Sequence, residues 1–415
     1  NGERCARHSE KGTAYSRARS RTNKMKTIVL VCDGMADEPV EQIGGRTPLQ
    51  AAKTPYMDAL AQKGKVGLTR TIPEGFTATS DVGNLSILGY DPKVYYSGRA
   101  PLEAAHRGVQ MGDQDVAFRC NLVTCDGDRL MDYAAGQISS QESGTLIQAV
   151  AKRLGSESLT FYPGDKYRHL AVFREGVRGE ELLKTQCTPP HDIIGQKIAA
   201  NQPKGPAADR LRQLMEVSRE TLTNHEINQV RIDLNENPGN MIWLWGQGKK
   251  IKLPTFQERF QVSGSVISAV DVVRGAGRLA GLEVVQVEGA TGYYDTNYRG
   301  KGKAAVEHLR TKEFVFVHVE AADEAGHNGD LRQKLGAIEN FDREVVGAIV
   351  KGTASMGPVR FFVAVDHPTP VEKRSHTNDP VPFVVSGEGI EPDSVAQFSE
   401  PQAKAGGWFL EPAHE

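Results

Sequence analysis

Phe314-Val315-Phe316-Val317-His318-Val319 runs without a break into Glu320-Ala321-Ala322-Asp323-Glu324-Ala325-Gly326-His327. A short apolar run that stops abruptly at acidic residues and histidine reads as a strand buried on both faces, ending where a loop can carry chemistry. The pattern occurs twice more. Thr27-Ile28-Val29-Leu30-Val31-Cys32 leads into Asp33-Gly34, and Phe361-Phe362-Val363-Ala364-Val365 leads into Asp366-His367, with Ser375-His376-Thr377 close behind. Strands of this kind predict an α/β fold with a mostly parallel sheet flanked by helices, whose site lies at the carboxyl ends of the strands. Carboxylates and imidazoles converging from three strand ends suit divalent cations. Asp33, Asp323, His327, Asp366, His367 and His376 are therefore candidate ligands of a two-metal enzyme.

Taken singly, each of these residues would be read as a helix cap, a turn residue or a core histidine. Their conjunction is what carries weight. Asp323 and His327, at i and i+4, share one face if a helical turn follows the strand. Asp366 and His367 are adjacent and reach one side only from a loop, which Pro368 and Pro370 favour.

The 415 residues exceed what one ordinary core accommodates, so two domains are expected. Charged residues make up 25% and apolar ones 39%, the balance of a globular protein. A net charge of −2 gives no electrostatic case for nucleic acid or an acidic membrane. No apolar run approaches the roughly 18 residues needed to span a bilayer. Five cysteines without a CxxC pair point to reduced thiols in a cytoplasmic protein.

Residues 1–24 hold seven basic side chains against two acidic ones and lack apolar periodicity. They read as a disordered basic extension ahead of Met25, with a transit peptide as the alternative. Residues 25–102 and 262–400 carry every candidate ligand and form one discontinuous catalytic domain. Residues 103–250, with strands near Val116–Val123 and His169–Arg174 and a helix over Ala207–Glu220, form an inserted, smaller α+β domain. Residues 401–415 are read as a tail. A helix is expected from Thr54-Pro55 onward, another over Val266–Leu279, a strand over Leu282–Val287 and a helix around Lys303–Arg310.

Ser80, in Thr79-Ser80-Asp81-Val82-Gly83-Asn84, is the candidate nucleophile. A serine hydroxyl is weakly nucleophilic at neutral pH, and coordination to a cation is one way to activate it. If Asn84 opens the following helix, backbone amides there could hold an oxyanion.

Together these residues resemble the alkaline phosphatase superfamily and, within it, the archaeal-type cofactor-independent (2,3-bisphosphoglycerate-independent) phosphoglycerate mutases. The likeness includes Gly44-Gly45-Arg46-Thr47-Pro48-Leu49, Leu88-Gly89-Tyr90-Asp91-Pro92, Ala117-Phe118-Arg119-x-Asn121 and Gly289-Ala290-Thr291-Gly292. It implies one metal held by Asp33, Ser80, Asp366 and His367, and a second held by Asp323, His327 and His376. Mn²⁺ is the usual ion, with Mg²⁺ or Zn²⁺ as alternatives. It further implies a glycolytic isomerase that interconverts 3- and 2-phosphoglycerate through phosphoserine, without 2,3-bisphosphoglycerate. The inserted domain would act as a lid. Arg99, Arg119, Arg168 and Lys301, which match basic positions of the family, would bind substrate.

One element departs from the family. Where these mutases have Arg-Arg-Ala-Gly-Arg, this chain has Asp132-Tyr133-Ala134-Ala135-Gly136-Gln137, and Gln137 cannot pair bidentately with an anion as arginine does. Ile242-Trp243-Leu244-Trp245-Gly246-Gln247-Gly248 and Cys187-Thr188-Pro189-Pro190-His191-Asp192 resemble a bacterial branch for which a homoserine kinase role has been proposed. A metal-dependent phosphatase or sulfatase and a metal-stabilised binding protein are the other readings. No GxxxxGK[ST] loop is present, and Gly275-x-Gly277 follows a segment read as helix, so neither a P-loop nor a dinucleotide fingerprint is expected.

Overall fold

The computed structural model describes residues 24–174 and 179–415, so the basic segment 1–24 lies outside the described residues except for Lys24. Two compact units divide the chain: residues 24–96 with 253–415, and residues 97–252.

The first unit opens with β1 (Lys26–Cys32), α1 (Pro55–Gln62), β2 (Gly64–Thr69) and α2 (Ser80–Ile87). The second unit supplies α3 (Arg99–His106), β3 (Val116–Asp126), β4 (Arg129–Asp132), α4 (Ser140–Leu154), β5 (Leu159–Tyr162), β6 (Arg168–Phe173), α5 (Ala208–Thr223) and β7 (Met241–Lys249). The chain then returns with β8 (Gly264–Ile267), α6 (Asp271–Leu279), β9 (Glu283–Val285), α7 (Tyr298–Leu309), β10 (Phe314–Val319), α8 (Ala321–Asn328), α9 (Leu331–Asn340), β11 (Val359–Ala364), β12 (Val381–Gly387), α10 (Glu400–Ala405) and β13 (Trp408–Leu410).

Among the described residues the first unit holds an eight-stranded sheet in the order β13-β2-β12-β11-β1-β10-β8-β9. β1 lies between β10 and β11, parallel to both, with Thr27 opposite Phe314 and Arg360. The three ligand-bearing strands are thus neighbours, and Asp33, Asp323 and Asp366 follow ends that point the same way. Both faces of these strands are covered, which explains their uninterrupted apolar runs. Ile28, Leu30, Val315, Val317 and Val363 join Met57, Leu60, Ile338 and Phe341 in one core. β12 is antiparallel to β11, and β2 is antiparallel to β12.

The stretch Val266–Leu279 is not one helix. Val266 and Ile267 belong to β8, opposite Phe316 and Val317 of β10, and the helix starts only at Asp271. β-branched residues beside an apolar strand suit the pleat better than a helix. Gly275 and Gly277 sit inside α6, where no phosphate-cradling loop can form. Residues 401–415, read as a tail, complete α10 and add β13, which pairs with β2 at the sheet edge.

The second unit is a separate antiparallel sheet in which β3 lies between β6 and β7. Phe118, Leu122, Leu146, Leu211 and Trp243 are among its core residues. No described helix is long and apolar enough to cross a membrane.

Candidate active site

The candidate ligands of the first unit are delivered by strand ends, by the helices after them and, for His376, by a loop. Asp33 follows β1, fully buried. Asp323 and His327 lie one turn apart on α8, so both reach the same side, with His327 Nε2 3.4 Å from Asp323 Oδ2. Asp366 and His367 occupy the loop after β11. His376 swings in from the next loop, its Nδ1 2.9 Å from the carbonyl of Ala78 and its Nε2 3.2 Å from Asp323 Oδ1.

Ser80 is the first residue of α2, with Thr79 extended before it. The helix therefore begins at the serine and not at Asn84. Asn84, one turn on, points its amide back to the Ser80 carbonyl at 2.9 Å and to Asp366 Oδ2 at 2.8 Å. Ser80 Oγ lies 3.1 Å from His367 Nε2.

The polar atoms fall into two sets that meet at His367. Asp33, Asp366 and His367 offer atoms within 4.8 Å of one another, and so do Asp323, His367 and His376. His327 Nε2 approaches His376 Nε2 to 2.9 Å, which ties it to the second set. Burial pushes the carboxyl of Asp33 well above its ordinary range, and the neighbouring Asp366 and Asp323 push the same way. Burial also raises Asp366. Burial would raise Asp323 too, but the imidazoles of His376 and His327 outweigh it and hold this carboxyl well below the usual range. Despite burial, His327 is lifted to about 9 by Asp323, whereas burial and His376 hold His367 well below its ordinary range. Crowded carboxylates beside imidazoles that aim their nitrogens at a common point are short of positive charge. Asp33 Oδ1 is buried with no hydrogen-bond partner. An oxygen and nitrogen donor set of this kind fits divalent cations.

Sequence reasoning passed over the groups behind these ligands. His318, the lone polar residue inside β10, places Nε2 2.9 Å from Asp33 Oδ2 and Nδ1 3.2 Å from Ser268 Oγ. A buried polar residue interrupting an apolar strand was the available signal. Thr369 Oγ1 lies 2.5 Å from Asp323 Oδ1. Lys301 is fully buried and donates to the carbonyl of His318 at 3.1 Å, and burial pushes its ammonium down to about 8. The structure places it behind the cluster, not facing open space.

Within the second unit, the other three basic candidates form a group of their own. Arg99 and Arg119 both meet the buried carboxylate of Glu103, at 3.3 and 3.4 Å. Arg119 and Arg99 also lie over the ring of Trp245, at 4.9 and 6.0 Å. The indole is fixed by its N–H, which donates to Asn121 Oδ1. Arg168 stacks on Tyr167, which packs edge-on against Tyr133. His191 packs between Tyr133 and Trp245. Stacking on aromatic faces fixes the planes of these guanidinium groups. Ala135, Gly136 and Gln137 are three successive residues with left-handed φ (48°, 65° and 55°), a conformation that only the glycine adopts without strain.

A family model for 2,3-bisphosphoglycerate-independent phosphoglycerate mutase matches residues 61–228. A probable mutase of this type from Geobacter sulfurreducens is 51% identical over 93% of this chain and 97% of its own length. The 2,3-bisphosphoglycerate-independent phosphoglycerate mutase of Methanosarcina barkeri is 51% identical over 92% of this chain and 96% of its own. Among solved structures, a Pyrococcus horikoshii protein superposes with a TM-score of 0.80 at 30% identity, covering 94% of this chain and 95% of that one. The cofactor-independent phosphoglycerate mutase of Thermoplasma acidophilum gives 0.61 at 27% identity, covering 94% and 96%.

Proposed function

This chain belongs to the 2,3-bisphosphoglycerate-independent phosphoglycerate mutase family, and from that membership we propose that it interconverts 3-phosphoglycerate and 2-phosphoglycerate through a phosphoserine formed on Ser80. The observation that carries this reading is the 3.1 Å approach of Ser80 Oγ to His367 Nε2, where a helix start meets both sets of ligands. Two divalent cations, Mn²⁺ foremost with Mg²⁺ or Zn²⁺ as alternatives, would be held by Asp33, Ser80, Asp366 and His367 and by Asp323, His327 and His376, supplying charge that activates the serine hydroxyl and neutralises phosphate oxygens.

Ser80 Oγ bonds to phosphorus as the bond from phosphorus to the 3-oxygen breaks, and the released oxygen takes up the proton that the serine gives up. The 2-oxygen of the retained glycerate then displaces Ser80, and the proton returns to the serine. Because the substrate itself supplies the phosphoryl group, no 2,3-bisphosphoglycerate is required. The first backbone N–H groups of α2 lie beside the serine and favour negative charge there. Asn84 and His318 hold Asp366 and Asp33 in place. Arg99, Arg119 and Arg168 would take the anionic groups of the substrate, and Lys301 supports the site from behind His318. A cytoplasmic role in glycolysis and gluconeogenesis goes with this reading.

The test is an enolase-coupled assay of the full chain with 3-phosphoglycerate and Mn²⁺, without 2,3-bisphosphoglycerate. Activity that disappears with chelator and in Ser80→Ala supports the mutase. Release of free phosphate in place of 2-phosphoglycerate would sink it in favour of a phosphatase. Silence toward phosphoglycerate with phosphoryl transfer to homoserine would sink it in favour of a kinase.

A further inference from the structure

Thr369 belongs to neither ligand set, yet its hydroxyl stands between them. Oγ1 lies 2.5 Å from Asp323 Oδ1 and 3.3 Å from His367 Nδ1. An ionised carboxylate only accepts, so the hydroxyl proton points to Asp323, and a hydroxyl lone pair is left facing the imidazole. Nδ1 must then carry the ring proton. The other nitrogen, Nε2, keeps its lone pair, and it is the atom that faces Ser80 Oγ at 3.1 Å and the carboxylates of Asp33 and Asp366 at 3.5 Å.

The surroundings hold this side chain in place. Thr369 is fully buried. Its N–H donates to the carbonyl of Ala36 at 3.2 Å, and the buried Lys334 ammonium donates to the carbonyls of Thr369 and Ala36 at 2.8 and 3.3 Å. A Cβ on Gly34, just after Asp33, would stand 2.6 Å from Thr369 Oγ1, and one on Gly326, between Asp323 and His327, would stand 2.2 Å from the Thr369 carbonyl. The loop after β1, helix α8 and the loop after β11 thus close around this one side chain. The glycines of Asp33-Gly34 and Gly326-His327 make room for it.

We propose that Thr369 is a positioning residue that fixes His367 as the Nδ1–H tautomer and couples the two cation sites through one hydroxyl. Outer hydrogen bonds of this kind set ring orientation and ligand basicity, and their loss weakens metal binding by about 10- to 100-fold. The metal readout rests on the two-cation reading above; the tautomer readout does not.

The experiment uses the full chain labelled with ¹⁵N-histidine, as wild type, Thr369→Val and Thr369→Ser. Long-range ¹H–¹⁵N spectra of the metal-free proteins are expected to show His367 protonated on Nδ1 in wild type and serine variant, and mixed or Nε2-protonated in the valine variant. Free Mn²⁺ followed by electron paramagnetic resonance is expected to report at least tenfold weaker binding for Thr369→Val, with Thr369→Ser close to wild type. A wild-type His367 carrying its proton on Nε2 overturns the proposal without any variant. So does a folded valine variant with the wild-type tautomer and affinity. A wild type that binds no Mn²⁺ overturns the two-cation reading instead, and the spectra still decide the role of Thr369.

Discussion

Asp33 Oδ1 lies 3.5 Å from Nε2 of His367, buried and without a hydrogen-bond partner. A buried carboxylate in that state stabilises the fold only when a cation reaches it. Chelator is expected to lower the melting temperature and Mn²⁺ to restore it. An ion at a hundredfold its Kd adds about 2.7 kcal/mol per site. Calorimetry with EDTA and with excess Mn²⁺ measures the difference, and a melting temperature indifferent to both would rule out the cluster as a metal centre.

Ser80→Ala should abolish turnover by roughly four orders of magnitude or more while the fold survives, because the oxygen that bonds to phosphorus is gone. Acid-quenched wild-type enzyme incubated with ³²P-labelled phosphoglycerate should retain label on Ser80. The alanine variant should retain none, and label on it would place the nucleophile elsewhere.

Arg119→Lys keeps the charge near Glu103 and Trp245 but loses the planar fork. The expected result is a KM for phosphoglycerate raised roughly tenfold to a hundredfold with a smaller change in kcat. Steady-state kinetics separate the two, and an unchanged KM would remove Arg119 from substrate binding.

His169 is fully enclosed in the second unit, its Nδ1 accepting the N–H of Gly164, and burial pushes its pKa down to about 3. Between that value and the unfolded one near 6.5, the unfolded chain binds a proton that the folded chain does not, so stability falls as pH drops through this window. His169→Asn can keep an acceptor for Gly164 without titrating. Wild type should lose up to about 1.4 kcal/mol per pH unit relative to this variant below pH 6.5. Urea unfolding at several pH values reads the difference, and parallel curves would refute it.

Lys334 and Asp37 form a fully buried pair at 2.6 Å. Lys334→Met strands the carboxylate and should cost about 3–5 kcal/mol, part of which returns in the double variant with Asp37→Asn. Additive losses in a double-mutant cycle would show that the pair does not act as a unit.

The spine of the sheet was legible because β1, β10 and β11 are covered on both faces and end in Asp or His, so that fold and ligands were written in the same residues. β8 was misread because its few strand residues run almost directly into a helix, and the combined apolar positions mimic one longer helical face. His318 and Thr369 escaped for a different reason. They act on other side chains: His318 shows in the sequence only as a polar interruption of an apolar strand, and nothing around Thr369 sets it apart from an ordinary loop residue. The pairing of Arg119 with Trp245 joins residues of different strands, a proximity that only the register of β3 against β7 reveals.

β1 also sets a condition on how the protein is made. Its partner strands begin with Phe314 and Val359, nearly three hundred residues or more downstream. At about 5–20 residues per second, a ribosome takes roughly 15 to 60 seconds to supply the first of them. Throughout that interval an apolar strand with two open edges exists in the nascent chain, while the second unit, whose described strands pair with one another, can fold ahead of it. Expression should therefore depend on chaperone capacity and elongation rate more than the stability of the finished sheet would suggest.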